Sequence, residues 1–250
     1  MKKQNKISFT ILGINGAIAV LNSEQFHIIH IDILTSGPAE KNESLMDAVF
    51  SSNMRPRFYE KSGFFQKYSE GRTQGIAVTF SGQVLTQDLP DFSDKNNACL
   101  LALDQIEDPQ NFGQIIRTAE CAGIDAIIFP RHHSANISDT VLQVSQGAFI
   151  NMPLIEVTNL KNTFSELKED GFWIVGLENS IDAKPWHTID YKDKTVIVVG
   201  SEGKGIREKV LESCDFKATI PMQGITNSLN VSAAVSAIIF ERLRQIEETH

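Results

Sequence analysis

The amino-acid sequence predicts an α/β protein: a parallel sheet with helices on both faces, preceded by a smaller α/β domain. Three observations predict it. From Ala98 onward, short apolar runs (ACLLALD, DAIIF, MPLIEV, FWIVGL, TVIVV) alternate with segments of helical period, the pattern of strands whose two faces are covered by crossover helices. In three places an apolar run ends in a tight polar or glycine turn that leads into a helix. Residues 7–80 repeat the alternation on a smaller scale, and the polar stretch 81–97 (SGQVLTQDLPDFSDKNN), with Gly82, Pro90 and no sustained period, follows them. It reads as a linker between domains 1–80 and 98–250.

Taken in order, the chain opens with MKKQNK and ISFTILGINGAIAVL, a charged and then an apolar region like those of a signal peptide. Ser8, Thr10, Gly13, Asn15 and Gly16 interrupt the apolar region, so the segment is read as part of the fold. A β-rich run covers Phe26–Leu34, a polar helix Lys41–Met54, and a last strand Ile76–Phe80. Between them Arg55, Arg57, Lys61, Lys67 and Arg72 are interleaved with Phe58, Tyr59, Phe64, Phe65 and Tyr68. Such a stretch suits a surface that grips single-stranded RNA through phosphates and stacked bases, and equally a solvated helix with a phenylalanine core.

In the C-terminal part, ACLLALD leads through residues 105–108 into PQNFGQIIRTAECAG, with Pro109 suited to a first helical turn and Gly123 to the end. Ile115, Ile116 and Ala119 share a helix face, and Arg117 points away with Gly113 and Glu120. TVIVV runs into GSEGKG, residues 200–205, and then the helix IREKVLES. Three glycines at a strand end mean close backbone approach, to a ligand or to another stretch of chain. A P-loop would need Ser or Thr after GK, and a dinucleotide fingerprint would need GxGxxG where this chain has GxxGxG; kinase, ATPase and nicotinamide-oxidoreductase readings are disfavoured. The third segment, IPMQGITNSLNVSAAVSAIIFE, places Asn227, Ser228 and Asn230 before a helix whose Val231, Ala234, Val235, Ile238 and Ile239 face a core. One such residue serves as a cap; three together point to a pocket for something polar.

Composition narrows the classes further. No run approaches the roughly eighteen apolar residues of a membrane span. Cys99, Cys121 and Cys214 contain no CxxC pair and read as reduced thiols of a cytoplasmic protein. His132 with His133, and His27 with His30, lack the spacing of a zinc pair, so no metal is expected. The net charge of −8 opposes nucleic-acid binding, yet its distribution is uneven. Residues 1–80 hold nine Lys and Arg against seven Asp and Glu, a balance of +2, and the remainder fourteen against twenty-four, a balance of −10.

Together and in this order, DPQNFGQIIRTAECAG, VIVVGSEGKG and IPMQGITNSLNVSAAVSAIIF closely resemble the three signature motifs of the SpoU/TrmH family of RNA ribose 2′-O-methyltransferases, within the SPOUT superfamily. GINGAIAVLNS and RTQGIAV (Arg72–Val78) also look like the N-terminal RNA-binding domain of the branch that methylates a guanosine in 23S ribosomal RNA. The family often has His where this chain has Thr73.

The resemblance implies a C-terminal trefoil knot, a homodimer, S-adenosylmethionine as cofactor, and RNA rather than DNA or a membrane as partner. It implies Arg117 as the central catalytic residue, with Asn111, Glu202, Ser228 and Asn230 completing the site and Gly200, Ile220 and Leu229 contacting the cofactor. A guanidinium stays protonated, so Arg117 is expected to orient the phosphate and the 2′-oxygen, with the proton acceptor open. The small-residue face of Ser232, Ala233, Ser236 and Ala237 suits close helix packing in a dimer. Transfer RNA as substrate, and a non-catalytic RNA-binding protein of the same fold, are the alternatives.

Overall fold

A computed structural model describes residues 8–68, 73–180, 182–225 and 228–248. The MKKQNK segment, Arg72 and Asn227 lie outside the described residues. In chain order the elements are β1 (Ser8–Leu12), α1 (Ile14–Leu21), β2 (His27–Leu34), α2 (Glu43–Ser51), β3 (Arg57–Tyr59), α3 (Lys61–Lys67), β4 (Ile76–Ser81), β5 (Leu85–Thr86), β6 (Cys99–Asp104), α4 (Pro109–Cys121), β7 (Ala126–Pro130), α5 (Asp139–Ser145), β8 (Leu154–Val157), α6 (Leu160–Glu169), β9 (Trp173–Leu177), β10 (Lys184–Pro185), β11 (Thr195–Gly200), α7 (Glu208–Leu211), β12 (Phe216–Thr219) and α8 (Val231–Glu247). They form two compact units: the residues up to Val84 with Ile137–Ile150, and Leu85–Asn136 with the residues from Asn151 onward.

The first unit holds a four-stranded sheet in the order β1-β4-β2-β3, antiparallel except between β2 and β3. Ile11, Ile31, Ile33, Val78 and Phe80 are fully buried in it. The two N-terminal segments singled out in the sequence meet there. The Ile14 amide donates to Gln74 Oε1 at 2.9 Å, and the Gly13 amide to the Ile76 carbonyl at 3.3 Å. Thr73 is buried, its hydroxyl oxygen accepting from the Gly75 amide at 3.3 Å.

Asp32 is also fully buried and opposes Arg57 in the β2/β3 register. Its carboxylate accepts from Arg57 Nε at 2.6 Å, Lys67 Nζ at 2.5 Å and the Tyr68 hydroxyl at 2.6 Å. Burial pushes this carboxyl up, but the bonds from Lys67, Tyr68 and Arg57 outweigh it and hold it below the usual aspartate value. Burial, aided by Asp32, pushes the Tyr68 hydroxyl up to about 12. Two cations of the basic-aromatic stretch, Arg57 and Lys67, are therefore committed to an internal carboxylate.

The free edge of β1 is covered by side chains of α5. The Thr10 amide donates to Asp139 Oδ1 at 3.0 Å, and Gln143 both accepts from the Leu12 amide and donates to its carbonyl, each at 2.5 Å. A sheet edge presents unpaired N–H and C=O groups, and here one amide side chain mimics a neighbouring strand. These bonds join α5 to the N-terminal unit, although its sequence position lies inside the segment read as the C-terminal domain.

The second unit holds an eight-stranded parallel sheet in the order β10-β12-β9-β11-β6-β7-β8-β5. The stretch 81–97, expected as a linker, supplies β5, which pairs with β8, and Phe92, buried in the core with its ring 5.5 Å from that of Phe172. A two-residue strand and a lone aromatic carry no period that a sequence could reveal. The helix expected over IREKVLES is shortened to the single turn α7 because Ile206 is drawn into the core. Register places Gly200 beside Asp104 and Val199 beside Leu177. The carboxyl ends of β6, β11 and β9 therefore share one end of the sheet, where open α/β sheets bind ligands. Helix α8 lies against α4 and β11, and its buried Arg242 donates to the Asn97 carbonyl at the start of β6.

Replacing Arg57 with Ala is expected to lower the unfolding free energy by roughly 2 kcal/mol, because a buried carboxylate loses a charged donor; urea unfolding measures it. The folded-state value of Asp32 lies below its unfolded value. Its contribution is therefore full above the ordinary aspartate range and is lost as pH falls through the lowered folded value. Wild type should lose more stability than Asp32→Asn between about pH 5 and pH 2.

Candidate active site

Helix α4 starts where Asp108 caps it, accepting from the Gln110 amide at 3.1 Å and the Asn111 amide at 3.2 Å, with Pro109 in the first turn. Asn111 is therefore held in the first turn. Its Nδ2 donates to Glu202 Oε1 at 3.3 Å. Asn230 caps α8, its Oδ1 accepting from the Ser232 amide at 2.9 Å. The Nδ2 of Asn230 donates to Asn111 Oδ1 at 2.9 Å and to Glu202 Oε1 at 2.6 Å. The Val231 amide reaches the same oxygen at 3.3 Å. Ser232 Oγ lies 2.9 Å from Gln114 Oε1 and 2.5 Å from Asn230 Oδ1, which ties the two helix starts together a second time. Three expected catalytic residues, 91 and 119 positions from Asn111 in the case of Glu202 and Asn230, thus form one hydrogen-bonded group.

Glu202 is delivered by the glycine turn. Ser201 and Gly205 exchange two backbone bonds of 3.2 and 2.9 Å. A Cβ on Gly200 would stand 2.0 Å from the Gly205 carbonyl carbon. The close approach read from the sequence is therefore to another part of the chain, and any side chain at position 200 would force the turn open.

Two recesses meet at this group. The larger, about 460 Å³, is lined by Gly200, Ile220, Ser228, Leu229, Glu202 and Asn230, and also by Glu178. The smaller, about 230 Å³, is lined by Gln105, Glu107, Asp108, Asn111 and Lys204. Ser201, Glu202 and Val231 border both. Ser201 Oγ is buried with no hydrogen-bond partner among the described residues, which leaves a polar atom for a bound molecule to satisfy.

Arg117 stands apart: it is exposed on α4, lines neither recess, and makes no hydrogen bond or ion pair with a described residue. Gly113, expected on its outward side, is buried. Sequence reasoning did not single out Gln114, Glu178 or Ser201. Ser201 lay in plain view inside GSEGKG, and Glu178 is the polar residue that ends the apolar run FWIVGL. Among the described residues no group of three or more His, Cys, Asp or Glu side chains is placed to hold a metal ion. Burial pushes the Cys99 thiol up to about 11 and that of Cys214 up to about 12, so both stay protonated and unreactive at neutral pH.

The model of the SpoU rRNA methylase family matches residues 98–240, which hold this whole site. The chain belongs to that family. Among its relatives, the 23S rRNA (guanosine-2′-O-)-methyltransferase RlmB of Xylella fastidiosa is 34% identical over 250 residues, covering 96% of this chain and 98% of that one. The RlmB of Pseudomonas aeruginosa is 41% identical over 184 residues, 72% of this chain and 73% of the relative. The solved SpoU methyltransferase AviRb of Streptomyces viridochromogenes, in complex with AdoMet, superposes with a TM-score of 0.81 over 96% of this chain and 91% of its own, at 18% identity. That likeness is one of fold.

Asn230→Ala is expected to lower the stability of this SpoU-family chain by about 1 kcal/mol through loss of the α8 cap, with the sheet retained. Denaturant unfolding followed by far-UV circular dichroism measures both.

Proposed function

We propose that this chain transfers the methyl group of S-adenosylmethionine to the ribose 2′-oxygen of a guanosine in 23S ribosomal RNA. The observation that carries this reading is the meeting of Asn111, Glu202 and Asn230 on the border of two recesses, one holding every residue expected to contact the cofactor. A ribosomal substrate is favoured over transfer RNA because a relative named for 23S rRNA aligns over 96% of the chain, N-terminal unit included. Relatives named as tRNA/rRNA methyltransferases of Staphylococcus aureus align over 58%.

When bound, S-adenosylmethionine supplies an electrophilic methyl on a positive sulfonium. The chain must align that methyl with a weak nucleophile and accept a proton. Gly200, which lets the turn close against Gly205, lines the larger recess with Ile220 and Leu229, and these two offer apolar surface to adenine. Asn111 and Asn230 hold Glu202 by one oxygen, which leaves Oε2, with no donor among the described residues, free to face the 2′-hydroxyl and accept its proton. Ser228 stands exposed on the rim of the larger recess, where it can bond the incoming groups. Arg117, permanently cationic, orients the RNA phosphate and the 2′-oxygen.

Because Arg117 lines neither recess of its own chain, the working unit is read as a homodimer in which it serves the partner's site. Ala233, Ala237 and the exposed Phe240 on α8 supply an outward face for that contact. Ser232, expected on the same face, is buried against Gln114 instead. The return of the chain from β12, beyond β9, to α8 against α4 and β11 supports a C-terminal trefoil knot. The N-terminal unit is read as the RNA-binding part, with Arg55 and Lys61, exposed and outside any ion pair among the described residues, as its phosphate contacts. Among the described residues no helix is long and apolar enough to cross a membrane; the cytoplasm, where ribosomes assemble, is the proposed place of action.

Arg117→Ala should reduce methyl transfer about a hundredfold or more while leaving the unfolding midpoint unchanged; near-normal turnover would return Arg117 to an ordinary surface role. Deleting the gene should erase one 2′-O-methylguanosine from 23S RNA, mapped by ribose-methylation sequencing, and an unchanged map would refute the substrate. Phe240→Asp should shift the chain from dimer to monomer in light scattering.

A further inference from the structure

At the carboxyl end of β9, the half-buried Glu178 lines the larger recess. Its backbone is fixed by the sheet, since its amide donates to the Ala218 carbonyl at 2.8 Å beyond the paired residues Leu177 and Ala218. Its side chain is held as well. Oε1 accepts from the Asn179 amide at 3.2 Å, and Oε2 lies 3.5 Å from the Ile206 nitrogen. Oε2 also occupies the space that a Cβ on Gly205 would need, 2.8 Å away. The last glycine of GSEGKG thus makes room for a carboxylate delivered by a different strand.

No cation among the described residues forms an ion pair with Glu178. A carboxylate offers about four acceptor positions, and the two backbone contacts leave roughly half of them open toward the recess. Those positions remain for the donors of a ligand in the recess to fill. The donor can be inferred from position. Glu178 is adjacent to the strand that continues into Ile220, the surface proposed for adenine, whereas the reacting sulfonium belongs near Glu202 on the border with the smaller recess. In S-adenosylmethionine the ribose joins those two ends, and its neighbouring hydroxyls are two donors matched to one carboxylate. Dinucleotide sites use an acidic residue on a ribose in the same way.

We infer that Glu178 binds the 2′- and 3′-hydroxyls of the cofactor ribose and makes the site selective for an intact diol. The inference rests on S-adenosylmethionine being the cofactor, as proposed above.

Calorimetry on the full chain tests it with S-adenosylmethionine, S-adenosylhomocysteine, 5′-methylthioadenosine and the 2′-deoxy and 3′-deoxy forms of the last. Wild type should bind methylthioadenosine roughly tenfold or more tightly than either deoxy form, as expected for a hydrogen bond to a charged group. Glu178→Gln and Glu178→Ala, checked for an unchanged unfolding midpoint, should lose that preference and bind S-adenosylmethionine and S-adenosylhomocysteine more weakly by equal factors. A wild type indifferent to the missing hydroxyl, or variants with unaltered affinity, would overturn the inference. So would a loss confined to S-adenosylmethionine, which would assign Glu178 to the sulfonium charge. A wild type that binds neither S-adenosyl compound, with or without RNA, would instead remove the cofactor reading on which it stands.

Discussion

Glu202 Oε1 accepts from Asn111 Nδ2, Asn230 Nδ2 and the Val231 amide, and the geometry of the whole site depends on this convergence. The donors come from the first turns of α4 and α8, and the acceptor from the turn after β11, so three distant segments are locked at one oxygen. Glu202 and Asn230 are exposed and Asn111 is buried, so the largest loss on breaking the group falls on Asn111, a buried side chain left without its partners. The arrangement also explains where the helices begin. Asp108 and Asn230 satisfy the first free amides of α4 and α8, and those caps hold Asn111 and Asn230 in the orientation that Glu202 requires.

The parallel sheet makes this convergence possible. All its strands run the same way, so the ends of β6, β9 and β11 present their turns side by side, and the loops following them build both recesses. The glycine turn folds on itself through Ser201 and Gly205. Ser201 and Glu202 then stand on the boundary, each with an oxygen that takes no hydrogen bond from a described residue.

The N-terminal unit follows a different physical rule. Its sheet is small, and it admits a buried charge only because Arg57, Lys67 and Tyr68 converge on Asp32. The edge of β1 is closed by Gln143 and Asp139 from α5. Removal of everything beyond the first 84 residues would therefore uncover backbone donors and acceptors, and the segment that protects them sits far along the chain.

The sequence by itself determined the alternation of buried strands and helices, the polar cap of α8, and the close approach at Gly200. All three arise from local causes: apolar period, side-chain oxygens next to free amides, and glycines in a tight turn. The family motifs extended that reading to Arg117, Asn111, Glu202, Ser228 and Asn230 as a set, of which Asn111, Glu202 and Asn230 share hydrogen bonds in the structure. Only the tertiary structure decided that Arg57 and Lys67 serve Asp32, that Phe92 and β5 belong to the large unit, that α5 completes the small one, and that Glu178 meets Gly205. Each of these depends on segments brought together by folding, from 25 residues apart for Arg57 and Asp32 to 131 for Gln143 and Leu12. Local patterning records the period and the cap of an element, but not which distant side chain will meet it.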